Sequence, residues 1–303
     1  MAVTFQPEGH RYTNENGEVY ISVTTLIGRY KAPFDAQYWS TYKAVKLVLE
    51  KKGTWDRFKR RAGGWDKVVA YYNSLNDFPY SSEVTKAKIQ FLQSWAESGR
   101  IAREKGSEYH AQMENTSHEV GVEKKNGKNI KVCSPVDLLR LQEFENDGVY
   151  TELLLYNDHF RLAGMADKVI KEGCIIHIHD YKTSKEIEME AFQDGKMKHP
   201  IHHLPSCNYF EYSLQLSIYA WMLEQVGYAV GDLVIEHVPA NHKEYKVKYL
   251  RDEVQSLLSH YGNAQNFPPY HFKPSPQRGE RESFVYPMPK LDEGETDFSI
   301  SFE

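Results

Sequence analysis

The stretch Ile175-Ile176-His177-Ile178-His179-Asp180-Tyr181-Lys182-Thr183-Ser184 ends an apolar run with a carboxylate and an ammonium two residues apart. A strand has a side-chain period of two, so Asp180 and Lys182 leave the same face as Ile176 and Ile178. Taken alone, such a pair is an ordinary ion pair at a strand end. Drawn inward, both groups lose hydration, and a metal ion or a phosphate is the usual compensation. The same parity sends His177 and His179 to the opposite face, which removes them as ligands at the Asp180 side.

Other elements supply groups that such a site needs. Thr151 to Tyr156 reads as an apolar strand carrying Glu152, and Asn157-Asp158-His159 is its turn. Phe160 to Ile170 reads as a second strand containing Gly164-Met165-Ala166-Asp167, and Lys171-Glu172-Gly173 turns the chain into the Asp180 strand. The three form a meander in which Asp167 and Asp180 meet on one surface. Upstream, Gly106 to Glu114 has a helical pattern with His110 and Glu114 one turn apart. Downstream, Tyr212 to Val226 is an amphipathic helix pattern with Gln215 and Tyr219 at i, i+4.

The ordered set Gly106…His110, Asp167, Asp180-Tyr181-Lys182 and Gln215…Tyr219 resembles the PD-(D/E)xK nuclease superfamily in its RecB-like exonuclease branch. His10-Arg11-Tyr12…Gly17-Glu18-Val19-Tyr20-Ile21-Ser22-Val23-Thr24 is similar to the opening of phage-type and mitochondrial members. Short islands over roughly residues 5 to 250 carry the resemblance. It departs from the pattern at Ala166-Asp167, where the superfamily motif has Pro-Asp.

The resemblance implies a mixed α/β fold, a restriction-endonuclease-like core whose central mixed sheet is flanked by helices. With it the chain divides into three stretches: an N-terminal hairpin and helical region over 1–105, the implied nuclease core over 106–270, and a tail over 271–303 whose Pro-rich, then acidic composition reads as disordered. It also implies Asp167 and Asp180 as carboxylate ligands for one or two Mg²⁺ or Mn²⁺ ions, with the Tyr181 backbone carbonyl and His110 completing the sphere. Asp167, Asp180 and Lys182 would be the catalytic set, Lys182 acting on the attacking water and the transition state. Gln215 and Tyr219 would position the lysine or a phosphate, and Thr183 and Ser184 would contact the DNA backbone. Glu114 would give a water-mediated ligand or support His110, against a reading as an ordinary exposed helix residue, and Glu152 stands where relatives often carry an acid, a structural or ligand-supporting role being weighed against a catalytic one.

The implied activity is metal-dependent DNA exonuclease, acting on single strands or DNA ends in phage or bacterial recombination, replication or degradation. The alternatives are a structure-specific or restriction-type endonuclease and a non-catalytic DNA-binding subunit. Composition bounds this reading without supporting it. The net charge is −5, and the stretch from Val285 sets one lysine against five acids, leaving the remainder near neutral. That tail either docks a protein partner or solubilises the chain end. No apolar run approaches the ~18 residues of a membrane span, and the N-terminus has no secretion-signal pattern. Three scattered cysteines, Cys133, Cys174 and Cys207, suggest a reducing compartment, the cytoplasm of a bacterial or phage-infected cell. They are too few for the four-cysteine iron–sulfur cluster of some relatives. Gly121 to Asn129 lacks the glycine spacing and Ser/Thr of a phosphate-binding loop, so no nucleotide site is expected.

Elsewhere, residues 4–24 read as a hairpin turning at Thr13–Gly17, and 33–75 and 82–116 as helices. Val136 to Asn146 reads as a helix, Lys185 to Tyr209 as a polar surface loop, Leu233–Val238 and Tyr245–Leu250 as strands, and Glu253–Gln265 as a last helix. Trp55, Phe58, Trp65, Tyr71 and Tyr72 serve either to pack these helices or to wall a strand of DNA.

Overall fold

The computed structural model describes residues 3–7, 9–32, 34–125, 128–133 and 146–263. The proposed helix over Val136 to Asn146 lies almost wholly outside the described residues, as does the tail from 271. The architecture is a central mixed sheet of eight strands with helices against it. Strands β1 (Val3–Gln6), β2 (Arg11–Asn14) and β3 (Val19–Ser22) form an antiparallel meander, so the expected hairpin has a third arm. Proline at position 7 removes a ladder donor, and Gly9 (φ +86) and His10 (φ +51) turn the chain back.

β6 (Gly148–Asn157), β7 (Leu162–Glu172) and β8 (Ile175–Lys182) are the predicted meander; a separate ribbon is formed by β4 (Val122–Lys125) and β5 (Lys128–Lys131). β7 starts two residues later than the apolar pattern suggests. Asn157 Oδ1 takes the Phe160 amide, and Arg161 has φ +46, which extends the turn. β8 runs parallel to β9 (Ala229–His237), and β10 (Lys243–Val247) closes the far edge.

One edge of β7 pairs with β6 throughout, while its other edge is shared. β3 takes Leu162 and Ala163, and β8 takes Lys168 to Glu172. Between them, Gly164 to Asp167 face a notch in the sheet. Three helices frame that notch: α1 (Val23–Tyr30), which leaves β3 directly with Ser22 as its N-cap; α5 (Ser81–Val120); and α6 (Asn208–Glu224). Residues Leu214 to Leu223 of α6 are all buried, between the sheet and α7 (Arg251–Gly262). The amphipathic pattern expected over Tyr212 to Val226 does not describe this helix, which is buried on every side because each face has a partner.

α5 is 40 residues long, about 60 Å. Its first turns pack Val84 and Ala87 on Ala44, Val45 and Val48 of α2 (Ala36–Lys51), beside α3 (Trp55–Ala62) and α4 (Val68–Asn73). Phe58 is buried in that cluster, and Trp55, Tyr71 and Tyr72 pack against it. Packing therefore accounts for these aromatics, and Trp65 alone of the five is exposed. The Lys185–Tyr209 segment is more anchored than its polarity suggests, because Met197, Ile201, Leu204 and Cys207 are buried. Among the described residues no helix is long and apolar enough to cross a membrane.

Candidate metal centre

The notch opens into a cleft of about 820 Å³, lined by His110, Glu114, Glu152, Gly164, Asp167, Gln215 and Tyr219 among others. His110 Nδ1 lies 3.2 Å from Asp167 Oδ1 and 3.7 Å from Glu152 Oε1. One ligand atom from each of these three residues falls within 4.8 Å of the others, a spacing that one cation can span. Burial resists protonation of His110, but Asp167 and Glu152 overcome it and lift its pKa to about 10. Burial likewise raises the Glu152 carboxyl, against the pull of His110. This cradle is negative enough to hold a proton on an imidazole well above neutrality, and its oxygen-rich donor set with one nitrogen fits a hard divalent cation.

Glu152 is the participant that strand periodicity could not place. It lies mid-strand in β6 with φ +45, a left-handed backbone that costs a non-glycine residue about 1–3 kcal/mol. Pairing resumes on both sides, Thr151 with Lys168 and Leu153 with Ala166, so Glu152 stands opposite Asp167 with no residue inserted. The core face slips by one residue there: β6 contributes Tyr150, then Leu153 and Leu155, and β7 contributes Leu162 and Ala166, then Val169. The slip brings Glu152 and Asp167 together at the cleft.

Behind this surface lies the pair that ends β8. Asp180 is 1% exposed, and Lys182 Nζ is 2.5 Å from its Oδ2, a contact by distance without hydrogen-bond alignment. Lys182 Nζ donates to Gln215 Oε1 (3.1 Å), and Gln215 Nε2 donates to Asp180 Oδ1 (3.1 Å) and lies 3.3 Å from the Tyr219 hydroxyl. The i, i+4 pair on α6 thus clamps the acid–lysine pair. Burial favours the uncharged lysine, yet Asp180 and Asp167 outweigh it and hold the ammonium above its ordinary range. Burial pushes the Asp180 carboxyl up, with Lys182 opposing.

The Tyr181 amide donates to Asp167 Oδ2 at 2.7 Å, which fixes that carboxylate where β7 and β8 part. An extended residue turns its N–H and C=O to the same edge, so the Tyr181 carbonyl is on the Asp167 side. Thr183 Oγ1 is 3.5 Å from where a Cβ on Gly106 would stand. Ser184 is occupied: its hydroxyl donates to Glu186 O and its carbonyl meets His237 Nε2 at 2.7 Å. Glu114 lines the cleft but is outside the three-ligand group.

His179 lies on the far face, as its parity requires. There it meets Glu236 at 2.7 Å, and with Glu244 it forms a second group at ligand spacing. Lys168 Nζ, 2.8 Å from Glu236 Oε1, already supplies positive charge at that spot. His203 pairs with Glu253, away from the cleft. The cysteines of the described residues are all free.

No protein-family model and no curated protein matches this chain. Among solved structures, one described as "Crystal structure of SSO0001" aligns over 63% of this chain and 71% of that chain, with 17% identity and a TM-score of 0.27. Similarity that loose carries no argument about fold or activity.

Proposed function

We propose that this chain is a metal-dependent deoxyribonuclease of the PD-(D/E)xK, RecB-like type, hydrolysing phosphodiester bonds at DNA ends. The observation that carries this reading is the convergence of His110, Glu152 and Asp167 in one open cleft. The clamped Asp180–Lys182 pair stands directly behind them. His110, Glu152 and Asp167, with Asp180 and the Tyr181 carbonyl beside them, would hold Mg²⁺ or Mn²⁺, the imidazole biasing the choice toward Mn²⁺. When bound, the ion supplies charge neutralisation at phosphate and a more acidic water.

The chain's own groups do the rest. Lys182 keeps its proton, and its Nζ, held against Asp180 and Gln215 behind the cleft surface, would be the donor to charge developing on phosphate oxygens. Gln215 holds that ammonium and Asp180 in fixed relation, and the Tyr181 amide stops Asp167 from turning away. The reaction would take place in the cytoplasm of a bacterial or phage-infected cell, where free DNA ends arise in recombination, replication and degradation.

A time course on end-labelled single- and double-stranded DNA with Mg²⁺, Mn²⁺ or EDTA tests the reading, with closed circular single strands as a second substrate. Shortening from an end that needs the metal, spares circles and disappears in Asp180→Asn and Lys182→Ala is the expected result. Undiminished degradation by both variants would remove the catalytic assignment. Cleavage of circles would replace exonuclease with endonuclease.

A further inference from the structure

The wall of the cleft contributed by the N-terminal meander is aromatic, and nothing in the metal chemistry requires it to be. Phe5 on β1 and His10 in the β1–β2 turn both line the cleft, along with His110, Glu152 and Asp167. Their rings pack edge to face at 5.0 Å, and both pack against Tyr12, at 5.0 and 5.7 Å. Tyr12 is buried and serves as backing, whereas Phe5 is half-buried and His10 is exposed. The turn holds His10 in the left-handed region (φ +51) after Gly9 (φ +86), a conformation that histidine adopts more readily than most residues other than glycine. The His10 amide donates to Pro7 O at 3.2 Å, closing that turn.

With a cation held by the carboxylates, a ligand that fills this cleft would need oxygen and negative charge at that wall and a flat apolar face at the other. A nucleotide has both: a phosphate for the cation held by the carboxylates, and a base for the rings. We propose that Phe5 and His10 form a nucleobase-stacking subsite that seats the base next to the phosphate at the metal centre. The subsite rests on the metal-dependent nuclease reading for the identity of its substrate. Stacking is tolerant of sequence because every base has a π face, and it selects for bases free of a duplex. At about 820 Å³ the cleft is of the size of small-ligand sites, about 300–1,000 Å³, which suits a nucleotide or two at a strand end.

The test uses the full chain with a single-stranded oligonucleotide whose end bases are 2-aminopurine, in Ca²⁺ to hold the phosphate. Stacking quenches the fluorophore. Quenching by the wild type, weakened about tenfold in apparent affinity by Phe5→Ala and by His10→Asn and kept by Phe5→Tyr, is the expected pattern, since one base–aromatic stack is worth about 1–3 kcal/mol. Asparagine tolerates the left-handed backbone, so His10→Asn removes the ring without straining the turn. In hydrolysis, Phe5→Ala should raise KM on normal single strands and leave KM unchanged on strands with abasic ends. Quenching that is absent from the wild type, or that survives both ring deletions, overturns the subsite. So does an equal KM loss on normal and abasic ends. Ring-dependent quenching by a wild type that hydrolyses nothing would uphold the subsite and remove the nuclease reading.

Discussion

Glu152 carries the sharpest conflict between local and collective preference. Its left-handed backbone costs free energy that glycine would not pay, and its carboxylate is raised by burial beside Asp167 and His110. Glu152→Gly should therefore raise unfolding free energy by about 1 kcal/mol, the relief of strain less the entropy of glycine in a strand. It should also weaken Mn²⁺ binding at least tenfold; thermal melting and calorimetric titration read the two effects separately. A melting point that falls would show that Glu152 is not strained. Glu236 makes the opposite case on the far face of the sheet. Burial opposes its ionisation, but His179 and Lys168 win and depress its pKa from 4.5 to about 2. A depressed carboxyl stabilises above its unfolded value and loses that contribution as pH falls through the folded one. The wild type should thus lose on the order of 3 kcal/mol between about pH 4.5 and 2 through this group, a component of the acid limb that Glu236→Gln would lack in urea titrations.

Gly164 on β7 and Gly106 on α5 both border the cleft, and their elements give them opposite tolerances. A Cβ on Gly164 would stand 2.7 Å from Tyr219 Cε1 and 2.8 Å from its hydroxyl, so the buried ring would have to move, and its hydroxyl lies 3.3 Å from Gln215 Nε2. Gly164→Ala should cost about 1–3 kcal/mol by overpacking and shift α6, pulling Gln215 off the Asp180–Lys182 pair. A Cβ on Gly106 meets only Thr183 Oγ1, at 3.5 Å, and alanine is the better helix residue by about 1 kcal/mol, so Gly106→Ala should stabilise. Denaturant curves on both variants check the pair, and equal destabilisation would contradict this packing. The element scale is also where the sequence is most readable. The β6–β7–β8 meander, the Asp180–Lys182 face and the Gln215–Tyr219 spacing follow from periods of 2 and 3.6. What periodicity hides is a departure from itself: Leu153-Leu154-Leu155 is buried on both faces, so no alternation reports which way Glu152 turns. The acid in an otherwise apolar strand was the one signal available. Nor does pattern show that β3 docks parallel beside Ala163 and so creates the notch, because pairing partners distant in sequence leave no local trace.

The whole molecule is held around that notch by elements from four separate stretches of chain. The N-terminal meander gives one wall, α5 brings His110 in after about 44 Å of helix, β6 to β8 give the carboxylates, and α6 seals the floor. A ligand that bridges α5 and the sheet binds the folded chain and has no counterpart in the unfolded one, so its binding free energy adds to global stability. At a hundred times its dissociation constant, a divalent cation should stabilise the fold by about 2.7 kcal/mol. For a chain of this size, with about 2.1 cal/mol/K of unfolding entropy per residue, that corresponds to a rise of roughly 4 °C in Tm. Mn²⁺ should produce this shift in the wild type, and EDTA should reverse it. Asp167→Asn should abolish it because Asp167 is the carboxylate shared by His110 and the Tyr181 amide. Glu244→Gln should leave the shift intact, because Lys168 already neutralises the second acidic group on the far face. A shift lost in Glu244→Gln and retained in Asp167→Asn would move the metal centre to the other side of the sheet.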